Sequence, residues 1–393
     1  MIVAESLPDI AVRPQKRSTT VNHIRAMKEA RRLQQEWAEL WLRAQTSNPF
    51  THPAWLLAWA ERFVPDGELE IVAVHENGVL TAVVPLWRWN RRSVGLTVRT
   101  LQPLGTGPHC SLTEMPGILT ARGVGRRQIR EAIGSLAQFV PDWDWSEITL
   151  SQDQGWFEPE WMARPGRSAG PVLHKVARPF VILDIRDGVT PRKRNLRESL
   201  RRARNRLNRS SLPWHIEVAT ESSQVGKAVL TTIDLHKRRA AMPDRLGHPD
   251  YFSDPADVSF ALEAVSAMAG LGLAEARILH IDDTPVAGIV ALRAHKSTFI
   301  SFSGMDEAAW GYSPTTLLLS EVVEGAVALG HETVNLSSGA SVAKLRWSEE
   351  LEIHHDFVVP TRSWRARTKL AAFLGARSVY GLHRELRRVE VRK

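Results

Sequence analysis

The sequence predicts an α/β (α+β) protein built from two similar domains, each with a mixed central sheet flanked by helices. The main observation is that the order hairpin, strand, helix, strand occurs once in each half of the 393-residue chain. A second observation is a connection rich in Gly, Pro and Trp at residues 154–178, between the halves. The pattern favours an internal duplication; the alternative is two α/β segments whose element order agrees by coincidence.

The composition restricts the class of protein and its partners. Hydrophobic residues make up 43% of the chain and charged residues 24%, which is typical of a soluble globular protein. No apolar run approaches the roughly 18 residues that suggest a membrane span, and residues 1–25 lack the order of a signal peptide, so we expect a cytoplasmic protein. The single cysteine excludes an intrachain disulfide, and the formal net charge of +8 favours anionic partners.

The first half begins with a polar segment and continues as an α/β domain. Residues 1–25 show no convincing periodicity and are predicted to be a flexible tail, and the first domain is predicted over residues 26–185. Its predicted elements are helices at 26–44 and 54–63, strands at 69–75, 79–87 and 97–104, a helix within 121–140 and a strand near 146–151. The pair Asn77-Gly78 joins the first two strands and is a hairpin signal, because both residues tolerate positive φ.

Residues 186–212 are predicted to form a basic helix that bridges the two domains. Its apolar residues fall on one helical stripe, and arginine occupies most other positions. The residues of the stripe are Leu196, Leu200, Ala203 and Leu207. One face therefore packs, and the others are either simply solvated or form a surface for the phosphates of a cofactor or nucleic acid.

The second domain is predicted over residues 213–360, and the chain ends in a basic segment, 361–393. The predicted elements of the domain include helices at 227–241 and 258–271 and strands at 276–281 and 286–294. The final segment carries ten Lys or Arg residues together with apolar residues at helical spacing. Such a basic amphipathic helix binds an anionic membrane or a partner, or it packs on the body of the protein.

The segment from Ser297 to Gly339 reads as strand, tight connection, amphipathic helix, strand. Ser313 is predicted as an N-cap whose hydroxyl binds a free backbone N–H, Pro314 suits the first helical position and Gly330 suits the helix exit. The helix start directly follows the end of a strand, and its unpaired N–H groups and positive dipole end suit a phosphate. The alternative is an ordinary packing unit without a ligand.

Several motifs, spread over most of the chain, together resemble the GNAT-superfamily acyltransferases of the CelD/BcsL type. That type is associated with cellulose or exopolysaccharide biosynthesis and is related in fold to the FemABX peptidyltransferases. Besides the arginine-rich helix, the motifs are Asn48-Pro49-Phe50, Pro53-Ala54-Trp55-Leu56, Val84-Pro85-Leu86, Leu235-His236-Lys237-Arg238-Arg239, Pro285-Val286-Ala287-Gly288, Gly311-Tyr312-Ser313-Pro314 and Lys344-Leu345-Arg346-Trp347.

The resemblance implies tandem GNAT-like domains and an acyl-CoA donor, acetyl-CoA above all. It implies direct transfer of the acyl group to an amine or hydroxyl of a sugar, a polysaccharide precursor or a small metabolite, with no metal and no covalent enzyme intermediate. The second domain would bind the donor, with its pyrophosphate at a helix start and its thioester carbonyl polarised by strand backbone. The residues implied at these two places are Tyr312, Ser313, Pro314, Thr315 and Thr316 at the helix start and Phe302, Ser303 and Gly304 on the strand.

One departure from the family pattern leaves the donor open. The usual Arg/Gln-x-x-Gly-x-Gly/Ala phosphate loop is absent, since residues 310–315 read WGYSPT, and only a partial version occurs at residues 122–127 of the first half. FemABX-type enzymes also lack this loop and use aminoacyl-tRNA, a partner that the arginine-rich helix would suit. The alternatives are therefore an aminoacyl-tRNA-dependent transferase and a catalytically silent GNAT-like protein that binds a polysaccharide-assembly partner.

Candidate catalytic and acceptor residues lie in two motifs of the second half. His236 is the preferred general base and Asp234 a separate candidate, because residues two apart on a helix do not face each other. The alternative for His236 is a histidine held in place for structural reasons. Substrate contacts are assigned to Arg239, Lys344, Arg346 and Trp347; the last three follow the final core strand of the donor unit and are otherwise a surface turn.

Overall fold

The computed structural model describes residues 18–44, 48–93, 95–109, 112–124, 126–140, 142–150, 158, 172–188, 193–242 and 249–376. Most of the predicted N-terminal tail, Gly125 of the partial phosphate loop and the segment from residue 377 to the end lie outside the described residues.

The described residues form one mixed sheet with helices on both faces, which confirms the predicted fold class. The strands are β1 (Thr19–Ile24), β2 (Leu69–Glu76), β3 (Val79–Ser93), β4 (Leu96–Pro103), β5 (Leu119–Thr120), β6 (Trp145–Leu150), β7 (Leu173–Asp184), β8 (Trp214–Ala219), β9 (Ala274–Ile281), β10 (Thr284–Ala294), β11 (Ser297–Met305), β12 (Thr333–Ser338) and β13 (Leu351–Pro360). Their order across the sheet is β1-β2-β3-β4-β6-β13-β7-β12-β11-β10-β9-β8, and β5 pairs with β3 outside this path.

Helices connect these strands in the described part of the chain. They are α1 (Met27–Arg43), α2 (Pro53–Phe63), α3 (Arg126–Phe139), α4 (Arg194–Arg209), α5 (Ser222–Ala240), α6 (Pro255–Gly270), α7 (Pro314–Ala328) and the short α8 (Val342–Leu345). Local sequence sets several boundaries. The Asp254 carboxylate accepts a hydrogen bond from Ala256 N at the start of α6, and Asn77 and Gly78 both adopt positive φ in the turn between β2 and β3.

The same element order occurs in both halves. Apart from the two-residue β5, which has no counterpart, the first half runs β1, α1, α2, β2, β3, β4, α3, β6, and the second runs β8, α5, α6, β9, β10, β11, α7, β12. In each half the three middle strands pair antiparallel, and the helix that follows leads to a parallel strand. The structure therefore supports the duplication that the sequence pattern favours.

The two halves exchange their last strands. Strand β7, which follows the first half in sequence, pairs with β12 of the second half, and β13, which follows the second half, pairs with β6 of the first. Strands β7 and β13 also pair with each other. The predicted division into residues 26–185 and 213–360 therefore does not separate two sheets, although it stays a prediction about independently folding domains.

Three stretches differ from the predicted elements. Residues 19–24, within the predicted tail, form β1, which pairs antiparallel with β2. Residues 173–178, within the predicted irregular connection, are the start of β7. Strand β8 was not predicted at all. All three lie at an edge or at the exchange point of the sheet, where pairing with distant strands outweighs weak local preference.

The core lies on both faces of the sheet. On one face, α1, α2, α5 and α6 share a continuous apolar core, in which Trp55 of α2 packs edge-on against Phe260 of α6 at 5.2 Å between ring centroids. On the other face, α3 covers the first half, and α4 and α7 cover the second. The halves are thus joined by a shared core as well as by the strand exchange.

The two predicted basic helices both pack on the sheet. The apolar stripe of α4 is buried against α7 and strands β7 and β12, as the periodicity predicts. In the C-terminal segment, residues 364–376 are helical, Leu370 and Phe373 pack by Trp145, and Lys369 Nζ lies 3.0 Å from an Asp144 carboxylate oxygen. Of the predicted alternatives for the C-terminal segment, residues 364–376 therefore follow the one in which the helix packs on the body of the protein. Within the described chain, no helix is long and apolar enough to cross a membrane.

Candidate active site

The parallel strands β11 and β12 separate soon after they begin to pair. Their pairing covers three positions and ends at Phe299 and Asn335, whereas β11 continues to Met305 and β12 to Ser338. We call the gap between the diverging strand ends the second split. Among the described residues, β11 has no strand neighbour on this side beyond Phe299, so the backbone groups of this edge lack a sheet partner there.

A bulge in β11 lies at the second split. Val290 of β10 pairs with Phe302, and the next residue, Ala291, pairs with Ile300. Ser301 is therefore an extra residue that has no pairing partner on β10. The Ser301 hydroxyl is buried and has no hydrogen-bond partner in the part of the chain that the structure describes. A buried polar group without a partner is destabilising unless a ligand or water supplies one, so this hydroxyl is suited to a bound group.

Helix α7 begins at Pro314, as predicted, but its start differs from the expected cap. Ser313 is in the left-handed region, with φ of 51°, and its side chain makes no capping hydrogen bond. The N–H groups of Thr316 and Leu317 donate to Ser313 O, and Pro314 has no N–H. The helix start therefore offers its dipole and few free N–H groups, which makes it a weaker phosphate site than the sequence implied.

Arginine side chains surround the start of α7. Arg206 of α4 donates to Gly311 O, and the Arg239 guanidinium lies 5.2 Å from the centre of the exposed Trp310 ring. The Tyr312 side chain packs against the apolar core under α4. Positive charge at this end of the second split therefore comes from side chains of two other helices rather than from a glycine-rich loop.

Two glycines let α5 lie directly on the strands beside the second split. Gly288 of β10 and Gly304 of β11 face each other in the sheet. A Cβ on Gly304 would lie 2.2 Å from His236 N, and one on Gly288 would lie 2.3 Å from Thr232 Oγ1. Only glycine allows this approach, which fixes the His236 side chain next to β11.

Both ring nitrogens of His236 are held by backbone groups. Nδ1 lies 3.1 Å from Ser303 O, and Nε2 accepts a hydrogen bond from Tyr251 N at 3.3 Å. The side chain is 1% exposed, and burial lowers its pKa. This geometry favours the structural alternative, in which His236 ties the Tyr251 loop to β11. Asp234 is exposed and pairs with Arg238 at 2.7 Å, away from the strand backbone.

A carboxylate from the first half reaches the end of β12. Glu114 accepts hydrogen bonds from the Ser337 hydroxyl, from the Ser338 hydroxyl at 3.1 Å and from Ser338 N at 3.3 Å. Ser337 has a φ of 72°, a strained value that is common at functional sites. Burial raises the pKa of Glu114, and the hydrogen bonds from Ser337 and Ser338 and the charge of Lys344 oppose that rise. A raised carboxylate pKa is a feature of catalytic bases.

Lys344 and Tyr251 complete a cluster around Glu114. Lys344 Nζ donates to Ser338 O at 2.6 Å, and its pKa is lowered by burial although the charge of Glu114 opposes this. The pKa of Tyr251 is raised, first by burial and then by the charge of Glu114. The Lys344 amine and the Glu114 carboxylate thus both bind Ser338 at the end of β12, within electrostatic range of the Tyr251 phenol.

Of the remaining predicted site residues, two contact α4, and the others lie on β11 or in the first turn of α7. Arg346 donates to Ser199 Oγ on α4 at 2.6 Å, and Trp347 is 5% exposed within the core under α4. The predicted substrate contact through Trp347 is therefore corrected: its ring supports α4. Phe302 is buried against Phe252, so its backbone alone can meet a ligand, whereas the half-buried Thr315 and Thr316 lie in the first turn of α7.

The first half has an equivalent gap, the first split, between β4 and β6. These strands pair at two positions and then diverge. A small cavity at this place is lined by Val84, Pro85, Leu86, Pro103, Gly117, Ile118, Ile148 and Thr149. None of these lining residues titrates, and all but Thr149 are apolar, so the described lining of this cavity offers no group for acid–base chemistry.

Sequence reasoning missed Glu114 because its partners are more than 220 residues away in the chain. The available signal is a carboxylate within the mostly apolar run from Leu112 to Leu119. Such a residue rarely enters an apolar segment unless it has a buried partner. Among the described residues, no group of three or more His, Cys, Asp or Glu side chains is placed to hold a metal ion.

Comparison with known families supports a GNAT-type fold at this site. Residues 194–345 match the family model of the acetyltransferase (GNAT) domain, which covers the chain from α4 to α8 and includes the second split. No curated protein matches the chain.

Solved structures extend the likeness in fold to most of the chain. The crystal structure of FemX has a TM-score of 0.55 and 10% identity, over 82% of this chain and 95% of that one. The C-terminal domain of an Agrobacterium fabrum protein predicted to be a lysylphosphatidylglycerol synthetase has a TM-score of 0.52 and 11% identity, over 88% and 96%. At these identities the likeness concerns the fold, and the resemblance to the CelD/BcsL type stays a prediction.

Proposed function

We propose that the protein is an acyltransferase that moves an acyl group, acetyl above all, from acyl-CoA to an amine or hydroxyl at the second split. Two observations carry this proposal: the edge of β11 that has no strand neighbour, inside the region that matches the GNAT domain, and the Glu114 carboxylate of the first half, which binds the end of the neighbouring strand β12. A donor and an acceptor that enter from opposite ends of the gap would meet between these two strands.

The residues of the split suit the donor. A thioester with an amide-containing arm can pair with the free backbone edge of β11 as an added strand does. The orphaned Ser301 hydroxyl and the backbone from Phe302 to Gly304 offer polar groups to the thioester carbonyl. Backbone N–H groups at that place stabilise the charge that develops on the carbonyl oxygen.

In this proposal Glu114 is the general base. The acceptor nitrogen or oxygen forms a bond to the carbonyl carbon, the carbon–sulfur bond breaks, and the acceptor proton passes to the Glu114 carboxylate. Lys344 beside Glu114 favours the ionised form of the carboxylate and so keeps it able to accept a proton. His236 is a positioning residue, because it holds the Tyr251 loop against Ser303.

The acceptor is a small molecule or a saccharide that carries the reactive amine or hydroxyl. Arg239, Arg346 and Lys344 remain proposed substrate contacts, and Lys344 is the one beside the carboxylate. A role in exopolysaccharide formation rests on the resemblance to the CelD/BcsL type alone.

An aminoacyl-tRNA donor is the second candidate. The observation that favours it is the exposed face of α4, where Arg197, Arg201 and Arg209 have no ion-pair partner among the described residues. Free arginines on one helix face suit a phosphate backbone, and such binding weakens steeply with salt.

A thermal-shift panel separates the candidates. A ligand at 100 times its Kd stabilises the folded state by about 2.7 kcal/mol, so acetyl-CoA is expected to raise Tm by a few degrees. Longer acyl-CoAs test chain length, and aminoacylated tRNA tests the second candidate. A response to tRNA without any response to acyl-CoA would replace the leading proposal, and stabilisation by neither would favour a binding protein.

A further inference from the structure

Trp310 lies exposed between β11 and α7. Its side chain belongs to the 3₁₀ turn Glu307–Tyr312, which connects the strand of the second split to the helix start, and the residue is 53% exposed. This exposure leaves the indole ring accessible to a flat ligand, and base–aromatic stacking uses such a ring. The turn occupies the place where the family pattern would have its phosphate loop.

One guanidinium next to Trp310 has no carboxylate partner in the part of the chain that the structure describes. Arg238 is paired with two carboxylates, those of Asp234 and Asp306. Its neighbour Arg239 is half-buried, stacks over the Trp310 ring and has no carboxylate partner among the residues that the structure describes. A partly desolvated guanidinium without a counter-charge attracts an anion more strongly than an exposed, paired one.

An indole and a guanidinium in contact form the complement of a nucleotide. Aromatic side chains stack on the faces of bases, and Arg binds phosphate through paired N–H groups. Arg206, which donates to Gly311 O in the same turn, adds a second cation. The side chains at this turn thereby supply what the missing backbone loop supplies elsewhere.

We propose that Trp310 and Arg239 bind the adenosine nucleotide of the donor, with the purine on the indole and a phosphate on the guanidinium. The proposal rests on the proposed function for the place of the donor. The shared ligand chemistry is adenosine with a phosphate, which both CoA and the 3′ end of an aminoacyl-tRNA carry.

The chain offers a matched control in Trp364. This residue is 71% exposed, and the guanidinium of Arg365 lies 5.6 Å from its ring centre. The pair has the same chemistry as Trp310 with Arg239, but it lies on the C-terminal helix, which packs on strands of the first half and not beside β11.

The test measures calorimetric affinities of CoA, adenosine 3′,5′-bisphosphate and pantetheine for wild type, Trp310→Ala, Trp310→Phe, Arg239→Ala and Trp364→Ala. Loss of one base-stacking contact weakens binding about tenfold or more. Trp310→Ala is therefore expected to bind CoA and the bisphosphate at least about tenfold more weakly than wild type. Trp310→Phe should lose less, Arg239→Ala should lose affinity for both phosphate-containing ligands, and pantetheine binding should not change. Trp364→Ala should match wild type.

The outcomes distinguish this proposal from the proposed function. If CoA binds Trp310→Ala and wild type equally, or if Trp364→Ala weakens binding as much, the nucleotide site is refuted and the acyl-CoA donor stands. If an aminoacylated RNA minihelix, and not acetyl-CoA, is turned over with Trp310-dependent affinity, the nucleotide site stands and the acyl-CoA donor falls. If none of these ligands binds wild type, both proposals fall.

Discussion

The first and second splits share a backbone arrangement and differ in the side chains that line them. In each half a parallel pair opens after two or three positions of contact. The first split is closed by apolar residues such as Ile118 and Ile148, whereas Glu114 and Lys344 lie at the mouth of the second. The fold thus contains the gap twice, and the side chains that line each gap determine whether it has groups suited to catalysis.

One loop serves both splits. Residues 112–118 follow β4 of the first half; Ile118 from this loop lines the cavity at the first split, and Glu114 extends to β12 in the second. The first half therefore supplies a carboxylate to the split of the second half. The following predictions test this division of roles, from the largest expected effect to the smallest.

Replacement of Glu114 should have the largest effect. Because a general base contributes about 10²–10⁴-fold to the rate, Glu114→Gln is expected to lower kcat by that factor with little change in donor affinity. The rate is measured as CoA release from acetyl-CoA with an acceptor found in an amine and alcohol screen. The matched control is Asp356→Asn, whose carboxylate accepts from Thr149 Oγ1 at 2.6 Å beside the first split and should leave kcat unchanged.

The pH dependence should follow the raised pKa of Glu114. Protonated Glu114 accepts no proton, so kcat is expected to fall as the pH decreases through a pKa above the ordinary value of Glu, and this limb should be absent from Glu114→Gln. The contribution of Glu114 to folding stability changes with pH in the opposite direction to kcat. The folded state binds the proton more tightly, so the contribution of Glu114 decreases as pH rises from the unfolded to the folded pKa. A rate profile without an acidic limb in wild type would exclude Glu114 as the base.

Damage to the first split should reduce stability and leave the chemistry intact. Ile148→Ala removes a side chain that is 5% exposed in the core under α3, and a buried Ile→Ala change costs about 2–5 kcal/mol. Denaturant unfolding should show this loss, while kcat and the KM for acetyl-CoA of the folded variant stay near wild type. A large increase in donor KM would place the donor in the first half instead.

Replacement of Gly304 should disturb the second split through α5. The added Cβ of Gly304→Ala would meet the backbone of α5 near His236, and forced overpacking costs about 1–3 kcal/mol. We expect a lower Tm together with weaker donor binding, because the strand that edges the split shifts. Gly270→Ala is the control, since its Cβ would have no neighbour within 4 Å.

The structural features that could be predicted from the sequence are those that local sequence patterns determine. The stripe of α4, the hairpin at Asn77 and the start of α7 at Pro314 depend on periodicity, turn chemistry and the fixed φ of proline, and all three agree with the structure, although Ser313 makes no capping hydrogen bond. The exchange of β7 and β13 depends on pairing between distant strands, which leaves no local pattern in the sequence.

The site was harder to predict than the fold for the same reason. Glu114 belongs to the site because a loop of the first half lies against the second. Trp347 resembled a surface residue after a strand, but the apolar face of α4 covers it. His236 is near the reacting strand as expected, although its ring nitrogens are taken by backbone groups. Each outcome depends on tertiary contacts between segments that are remote in sequence.

Hydrogen exchange with and without acetyl-CoA tests the central claim most directly, because it compares both splits in one experiment. Donor binding at the second split predicts added protection of amides in residues 300–304 and 312–317, at the free edge of β11 and the start of α7. Residues 101–103 and 146–150 of the first split should exchange at unchanged rates. Protection confined to the first split, or protection at neither, would contradict the account.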